Sequence, residues 1–172
     1  GIQTLRQLFP PEVFSTTRVW EREVWSVPCV EIYDEPQFAW RGMMLDVARY
    51  FLSLDYVKRY IDIMSTYKMN VLHFHLVDDS GWRLEIKKYP KLTEIGAFNG
   101  EGEKKSGGFY TQEDLRELVK YAAERNVTIV PEIEFPAHIL SAVSAYPWLS
   151  CRGEQLAVPD QPYISKDLLC VG

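Results

Sequence analysis

Charged and histidine side chains follow three short apolar runs of the sequence, at 43–45, 71–77 and 127–130. In chain order these side chains are Asp46, Arg49, His75, Asp78, Asp79, Glu132, Glu134 and His138. Carboxylates, an arginine and histidines in one place would suit the binding of a polar substrate combined with proton transfer. Whether they act together depends on the elements that carry them.

Two amphipathic segments separate the apolar runs and predict helices with one buried face each. The predicted buried faces are Val57, Tyr60, Ile61 and Met64 in the first helix and Leu115, Leu118, Val119 and Ala122 in the second. Ser53 is the predicted N-cap of the first helix. Thr111 with Asp114 predicts a capping box at the start of the second.

The three apolar runs read as buried strands, so the chain from Arg41 onward has the order β-α-β-α-β. Strands that alternate with helices in this way are parallel and joined by crossover helices. In barrels and in open sheets of this kind, functional groups gather beyond the C-terminal ends of the strands. The fold therefore predicts that the charged set lies together.

The first 35 residues have a different pattern. Residues 1–9 are predicted to be the end of a helix that Pro10 and Pro11 terminate, and the alternation in Val27–Ile32 predicts a strand. The turn sequence Asp34-Glu35-Pro36 marks a domain boundary.

Several members of the charged set also have structural explanations. Arg49 could simply neutralise Asp46, and His73 and His75 could be satisfied core histidines. His138 could fix its loop by a hydrogen bond. A metal site is the less favoured alternative, since barrel metal sites usually place His-x-His at the end of the first strand, and here the motif lies on the second. No metal or cofactor is expected.

Composition excludes some classes of partner. The net charge of the 172 residues is −5, and no stretch clusters Lys and Arg densely, so nucleic acid is not an expected partner. No apolar run is long enough to cross a bilayer. The cysteines show no Cys-x-x-Cys spacing; Cys151 and Cys170 either form a disulfide or are two small buried residues.

Longer motifs around these charged residues resemble those of a known protein family. Seven segments in the expected order resemble the catalytic domain of family 20 glycoside hydrolases, the β-N-acetylhexosaminidases. They are Arg41–Phe51, Lys68–Asp79, Gly81–Thr93, Tyr110–Gln112, Tyr121–Arg125, Val130–His138 and Tyr146–Cys151. Two earlier segments, 3–8 and 27–32, are similar to the end of the small α+β domain that precedes this barrel.

The resemblance implies an α/β fold, a partial (β/α)₈ TIM barrel. Residues 36–172 would form its N-terminal part, with the first three strands and two helices. Residues 1–35 would be the C-terminal remnant of the small α+β domain. The missing remainder of the barrel would be the partner of this segment.

The resemblance also implies an activity. Family 20 enzymes remove terminal non-reducing N-acetylglucosamine or N-acetylgalactosamine from glycans with retention, and the 2-acetamido oxygen of the substrate is their nucleophile. Arg49 would bind sugar hydroxyls, and Asp78 and His138 would form a supporting dyad within hydrogen-bond reach, directly or through one water. Arg41 and His75 would be structural.

The sequence departs from the family pattern in three places. Glu134 and Ala137 stand where the family usually has Asp and Gly, and Ala137 would restrict a backbone position that glycine leaves free. The family's Gly-Gly-Asp-Glu motif, which carries the general acid and its Asp partner, does not occur in these 172 residues.

The expectation is therefore a fragment that alone hydrolyses nothing and closes no barrel, from a secreted or periplasmic parent enzyme. Gly1–Pro10 has no apolar signal core. A non-catalytic carbohydrate-binding barrel and another barrel hydrolase are the alternatives.

Overall fold

The structure is a computed structural model that describes residues 1–17, 24–100, 105–161 and 164–171. Its strands are β1 (Gly42–Asp46), β2 (Val71–His75), β3 (Val77–Asp78), β4 (Gly81–Trp82), β5 (Phe98–Asn99), β6 (Ser106–Gly107) and β7 (Thr128–Glu132). Its helices are α1 (Ile2–Arg6), α2 (Leu54–Thr66), α3 (Lys91–Glu94), α4 (Gln112–Ala123) and α5 (Leu140–Ala145), with 3₁₀ turns at Pro11–Phe14 and Pro147–Leu149.

A parallel sheet in the order β1-β2-β7 is the centre of the fold. Helix α2 connects β1 to β2, and α4 precedes β7. The predicted β-α-β-α-β order and parallel pairing are therefore confirmed. The two pairs β3-β4 and β5-β6 are short antiparallel hairpins outside this sheet.

The core lies between the sheet and the helices α2 and α4. Leu72 and Phe74 of β2 are fully buried and belong to one cluster with Val57 and Ile61 of α2 and Leu118 of α4. Side chains alternate along a strand, so His73 and His75 point to the opposite face. On that face, Met44 and Val130 flank His73 in register and remain exposed, as expected of strands that would line a barrel.

The predicted helix starts are confirmed. The Ser53 hydroxyl accepts a hydrogen bond from the Tyr56 backbone N–H, 3.3 Å away. Thr111 and Asp114 form a reciprocal capping box. Both arrangements satisfy N–H groups that the helix itself leaves unpaired.

One position of the predicted buried face of α4 is wrong. Leu118 and Ala122 are buried, but the side chain of Val119 is 55% exposed. Val119 follows Leu118 by about 100° around the helix, so it lies beside the buried stripe rather than on it.

The amino-terminal segment is only partly as predicted. Helix α1 confirms the predicted helix, but the predicted strand Val27–Ile32 is wrong, because no described residue between 24 and 41 belongs to a strand. An alternating sequence becomes a strand only where a neighbouring strand supplies hydrogen-bond partners, and no described segment pairs with this one. The Asp34 carboxylate instead contacts Lys68 at 2.7 Å and Thr4 at 3.1 Å.

Cys151 and Cys170 form a disulfide, which decides between the two alternatives that the sequence left open; Cys29 is free and exposed. The bond closes the segment that follows α5. That segment is also tied to the loop after β7, since the Leu169 N–H donates to the Pro136 carbonyl at 2.9 Å. Among the described residues, no helix is both long enough and apolar enough to cross a membrane.

The packing of α4 predicts a contrast between two neighbouring residues. In the intact protein, Leu118→Ala should lower the free energy of unfolding by about 2–5 kcal/mol, because it removes buried methyl groups and leaves a cavity. Val119→Ala, the matched control, should change it by no more than about 0.5 kcal/mol. Denaturant unfolding measures both variants, and equal losses would contradict this description of the core.

Candidate active site

The register of the sheet places three functional side chains side by side at its carboxyl end. Asp46, His75 and Glu132 are in register, and each is the last residue of its strand. The Asp46 Oδ1 atom lies 3.6 Å from His75 Nδ1. The neighbouring carboxylate raises the pKa of His75, although burial of the imidazole acts in the opposite direction.

Asp46 organises the turn that follows β1. Its Oδ1 atom accepts the backbone N–H groups of Ala48 and Arg49, both at 3.0 Å. Its Oδ2 atom accepts a hydrogen bond from Arg49 Nη1 at 2.6 Å. Burial alone would raise the pKa of Asp46, but the neighbouring His75 and the hydrogen bonds from Arg49 outweigh it and hold the pKa well below its usual range.

Arg49 connects the end of β1 to the segment after β2. While Nη1 binds Asp46, Nη2 lies 2.8 Å from Asp78 Oδ2, in an ion pair that lacks hydrogen-bond alignment. Arg49 thus neutralises Asp46, as the structural explanation expected, but it also contacts a second carboxylate. The side chain of Arg49 is 34% exposed, so part of it remains accessible to solvent.

Asp78 is the most buried carboxylate in contact with Arg49, with 1% of its side chain exposed. Its Oδ1 atom accepts the Asp79 N–H at 2.6 Å, and His75 Nε2 lies 3.5 Å from Oδ2. Burial raises the pKa of Asp78, although the Asp79 N–H and the charges of Arg49 and His138 act in the opposite direction.

His138 completes the predicted pair. Its Nδ1 atom lies 3.6 Å from Asp78 Oδ1 and 3.4 Å from Asp79 Oδ2. Asp78 and His138 are neighbours at the carboxyl end of the sheet, as predicted, but 3.6 Å is just beyond direct hydrogen-bond distance, so the direct form of the predicted contact is not formed. The restricted backbone position is His138 itself, with φ of 54°, and not Ala137 as the sequence suggested.

Asp79 anchors the loop that carries His138, a role that sequence analysis missed. Its Oδ1 atom accepts the Leu140 N–H at 3.0 Å, and its Oδ2 atom accepts the Ser165 N–H at 2.9 Å. Ser141 adds a hydrogen bond from its hydroxyl to the Asp78 carbonyl at 2.7 Å. The only sequence signal was a second carboxylate directly after Asp78, and its partners are 61 and 86 positions away.

Two neighbouring glutamates interact at the end of β7. Burial and the neighbouring Glu132 carboxylate raise the pKa of Glu134. Burial would also raise the pKa of Glu132, but its interaction with Glu134 and the charges of His75 and His73 lower it overall. His73 Nε2 contacts Glu132 directly. The sequence identified Glu134 as a departure from the family pattern, which usually has Asp here. It did not indicate that Glu134 interacts with Glu132.

The structure therefore brings the whole charged set together at the carboxyl end of the sheet. Arg41, predicted to be structural, lies at the opposite end, where its guanidinium donates to the backbone carbonyls of Lys68 and Phe38 at 2.7 and 2.5 Å. Two triplets of described residues have the spacing of metal ligands, namely His75-Glu132-Glu134 and Asp78-Asp79-His138. That the activity requires no metal remains a prediction.

Known proteins match this chain over most of its length. The model of glycosyl hydrolase family 20, catalytic domain, matches residues 38–172. A β-hexosaminidase from Porphyromonas gingivalis is 47% identical over 173 residues, which cover 100% of this chain and 22% of the relative. A β-hexosaminidase from Vibrio furnissii is 46% identical over 83% of this chain and 25% of its own length.

Solved structures agree with these sequence matches. The β-N-acetylhexosaminidase of Streptomyces coelicolor A3(2) superimposes with a TM-score of 0.90 at 43% identity, over 99% of this chain and 34% of that protein. A mutant β-hexosaminidase of Streptomyces plicatus, in complex with its product GlcNAc, gives a TM-score of 0.89 at 42% identity, with the same coverage of both chains. The chain thus spans about a fifth to a third of the length of the proteins that it matches.

The contact between Asp46 and His75 predicts a titration. In the intact protein, the His75 pKa should lie above 6.5, and Asp46→Asn should lower it, because burial then favours the neutral imidazole. A raised pKa means that His75 stabilises the fold fully below about pH 6.5, and that this stabilisation is lost as the pH rises through the folded-state pKa.

Histidine NMR titration measures the shift, with the resonance assigned by a His75→Gln variant. Glu117→Gln is the control, since this exposed carboxylate pairs with Lys58 on the helical surface. An unchanged His75 pKa in Asp46→Asn would show that the carboxylate does not control the imidazole.

Proposed function

Because the chain belongs to glycosyl hydrolase family 20, we propose that the protein containing it is a β-N-acetylhexosaminidase. It removes terminal non-reducing N-acetylglucosamine or N-acetylgalactosamine from glycans with retention of configuration. The observation that carries the proposal is the contact of Arg49 and His138 with the same buried carboxylate, Asp78, at the carboxyl end of a parallel sheet. The family match over residues 38–172 supports the same conclusion.

Arg49 is the proposed sugar-binding group. A guanidinium has five N–H donors in a fixed plane, and Asp46 and Asp78 engage one donor nitrogen each. The remaining donors can bind a pair of neighbouring hydroxyls on the terminal sugar. The two carboxylates fix the plane of the guanidinium before the sugar arrives, which reduces the ordering cost of binding.

Asp78 and His138 are the proposed supporting dyad. The general acid would be the Glu of the Gly-Gly-Asp-Glu motif, which lies outside these 172 residues. The imidazole lies beside Asp78 and Asp79, and in the intact protein it would influence the proton affinity of the neighbouring acid. In this scheme the 2-acetamido oxygen of the substrate attacks the anomeric carbon while the acid protonates the leaving oxygen.

We also propose that the intact protein is secreted or periplasmic. The disulfide between Cys151 and Cys170 supports this location, because such bonds persist in oxidising compartments.

Turnover of two matched substrates tests the function. The intact protein should hydrolyse an aryl N-acetyl-β-glucosaminide and should not hydrolyse the corresponding aryl β-glucoside, which lacks the acetamido nucleophile. Equal turnover of both substrates would contradict substrate-assisted catalysis. Binding of N-acetylglucosamine without any turnover would instead support a non-catalytic sugar-binding barrel.

Two arginines offer a matched comparison within the intact protein. Arg49→Lys should lower kcat/KM on the aryl N-acetyl-β-glucosaminide by about 1.5–3 kcal/mol of transition-state stabilisation, because a point charge replaces a bidentate donor. Arg41→Lys, at the opposite end of the sheet, should have a much smaller effect. Steady-state kinetics of the two variants measure this difference in kcat/KM. Equal values would count against Arg49 as the sugar-binding group.

A further inference from the structure

Arg83 is a buried cation whose partners are all backbone carbonyls. Its side chain is among the largest fully buried ones, and the residue is 1% exposed. The carbonyls that accept its hydrogen bonds belong to Val47, Ala48, Ser80, Ala97 and Gly108. A guanidinium has five N–H donors, so the number of acceptors matches the number of donors.

The charge of Arg83 has no carboxylate partner among the described residues. Burial lowers the pKa of Arg83 to about 10, so the group is still a cation at neutral pH. A buried charge is costly unless it is fully hydrogen-bonded, and here oriented peptide dipoles replace water. The guanidinium therefore needs all five carbonyls as acceptors, and its hydrogen bonds fix the positions of these carbonyls.

The carbonyls that Arg83 binds belong to the segments that carry the active-site side chains. Val47 and Ala48, whose carbonyls accept at 2.9 and 2.8 Å, are the two residues between Asp46 and Arg49. Ser80, whose carbonyl accepts at 3.5 Å, directly follows Asp78 and Asp79. One rigid planar group thus connects the turn after β1 to the turn after β3.

The surroundings fix the guanidinium in this position. A Cβ atom on Gly81 would lie 2.3 Å from Arg83 Cζ, so glycine is required for its close approach. The Phe51 ring lies 5.9 Å from Cζ. A lysine ammonium is a compact charge with three donors, so it cannot satisfy the five carbonyls that the planar guanidinium binds around its edge.

We propose that Arg83 is a positioning residue for the active site. It holds the turn of Arg49 against the turn of Asp78, and so sets the geometry in which Arg49 meets both its carboxylates and the sugar. The kinetic part of this inference rests on the proposed hexosaminidase activity, whereas the structural part does not.

The structural test compares crystal structures of the intact protein carrying Arg83→Lys or the control Arg41→Lys. Arg41 also binds backbone carbonyls through its guanidinium, but at the opposite end of the sheet. We expect Arg83→Lys to separate Arg49 Nη2 from Asp78 Oδ2, which are 2.8 Å apart in the wild-type protein, or to let the Arg49 side chain adopt several positions. The control should keep the contact, and a preserved contact in Arg83→Lys overturns the proposal.

The kinetic test uses the same variants with the aryl N-acetyl-β-glucosaminide. Arg83→Lys should lower kcat/KM by about 10- to 100-fold, because a displacement of about 1 Å can cost about that much, and chiefly through KM, because Arg49 binds the sugar in the ground state as well as in the transition state. Combined with Arg49→Lys, it should add little further loss, because both variants disrupt the same contact. Arg41→Lys combined with Arg49→Lys should be additive.

A purely structural role gives different results. It would reduce the yield of folded protein while leaving the KM of the folded fraction unchanged, and that outcome overturns the proposal. If Arg83→Lys does not fold, Gly81→Ala displaces the guanidinium without removing it and should show the same separation and the same rise in KM. Wild-type protein without turnover would contradict the proposed function alone, since the crystallographic comparison does not depend on activity.

Discussion

The pairing of β2 with both of its neighbours determines the position of every active-site side chain. Asp46, His75 and Glu132 are adjacent because the three strands are parallel and in register to their last residues. The same alternation that buries Leu72 and Phe74 against the helices turns His75 to the opposite face. A slip by one residue would exchange the two faces, so burial of the apolar side chains also fixes the site.

This pairing concentrates charge, and the compensation of that charge determines the finer geometry. Asp46 and Asp78 would repel each other if they were alone, but Arg49 and His75 both contact the two carboxylates. Removal of Arg49 or His75 would leave a carboxylate without compensation, and the cost would be greatest at Asp78, whose side chain is buried. The opposite pKa directions, lowered for Asp46 and raised for Asp78, indicate that hydrogen bonds dominate at the first carboxylate and burial at the second.

The predictable part of this structure follows from local sequence rules and one topological rule. The cap at Ser53 and the capping box at Thr111 need only neighbouring residues, and the meeting of Asp78 with His138 needs only the rule that parallel strands end at one edge. The strand predicted at Val27–Ile32 failed because pairing depends on a partner that no local pattern reveals. The roles of Asp79 and Arg83 were not predictable either, since their acceptors and donors are backbone groups, which have no sequence signature.

Backbone contacts of this kind explain how a loop can hold His138 in an uncommon conformation. A non-glycine residue with φ of 54° is uncommon and persists only where its surroundings impose it. On one side of His138, the Pro136 carbonyl accepts from Leu169; on the other, Asp79 accepts from the Leu140 N–H. Asp79 thereby fixes the backbone of the loop and also lies beside the imidazole, while Asp78 lies beside the imidazole and contacts Arg49. Of the two adjacent carboxylates, only Asp78 contacts Arg49, and only Asp79 binds the backbone on both sides of the chain that carries His138.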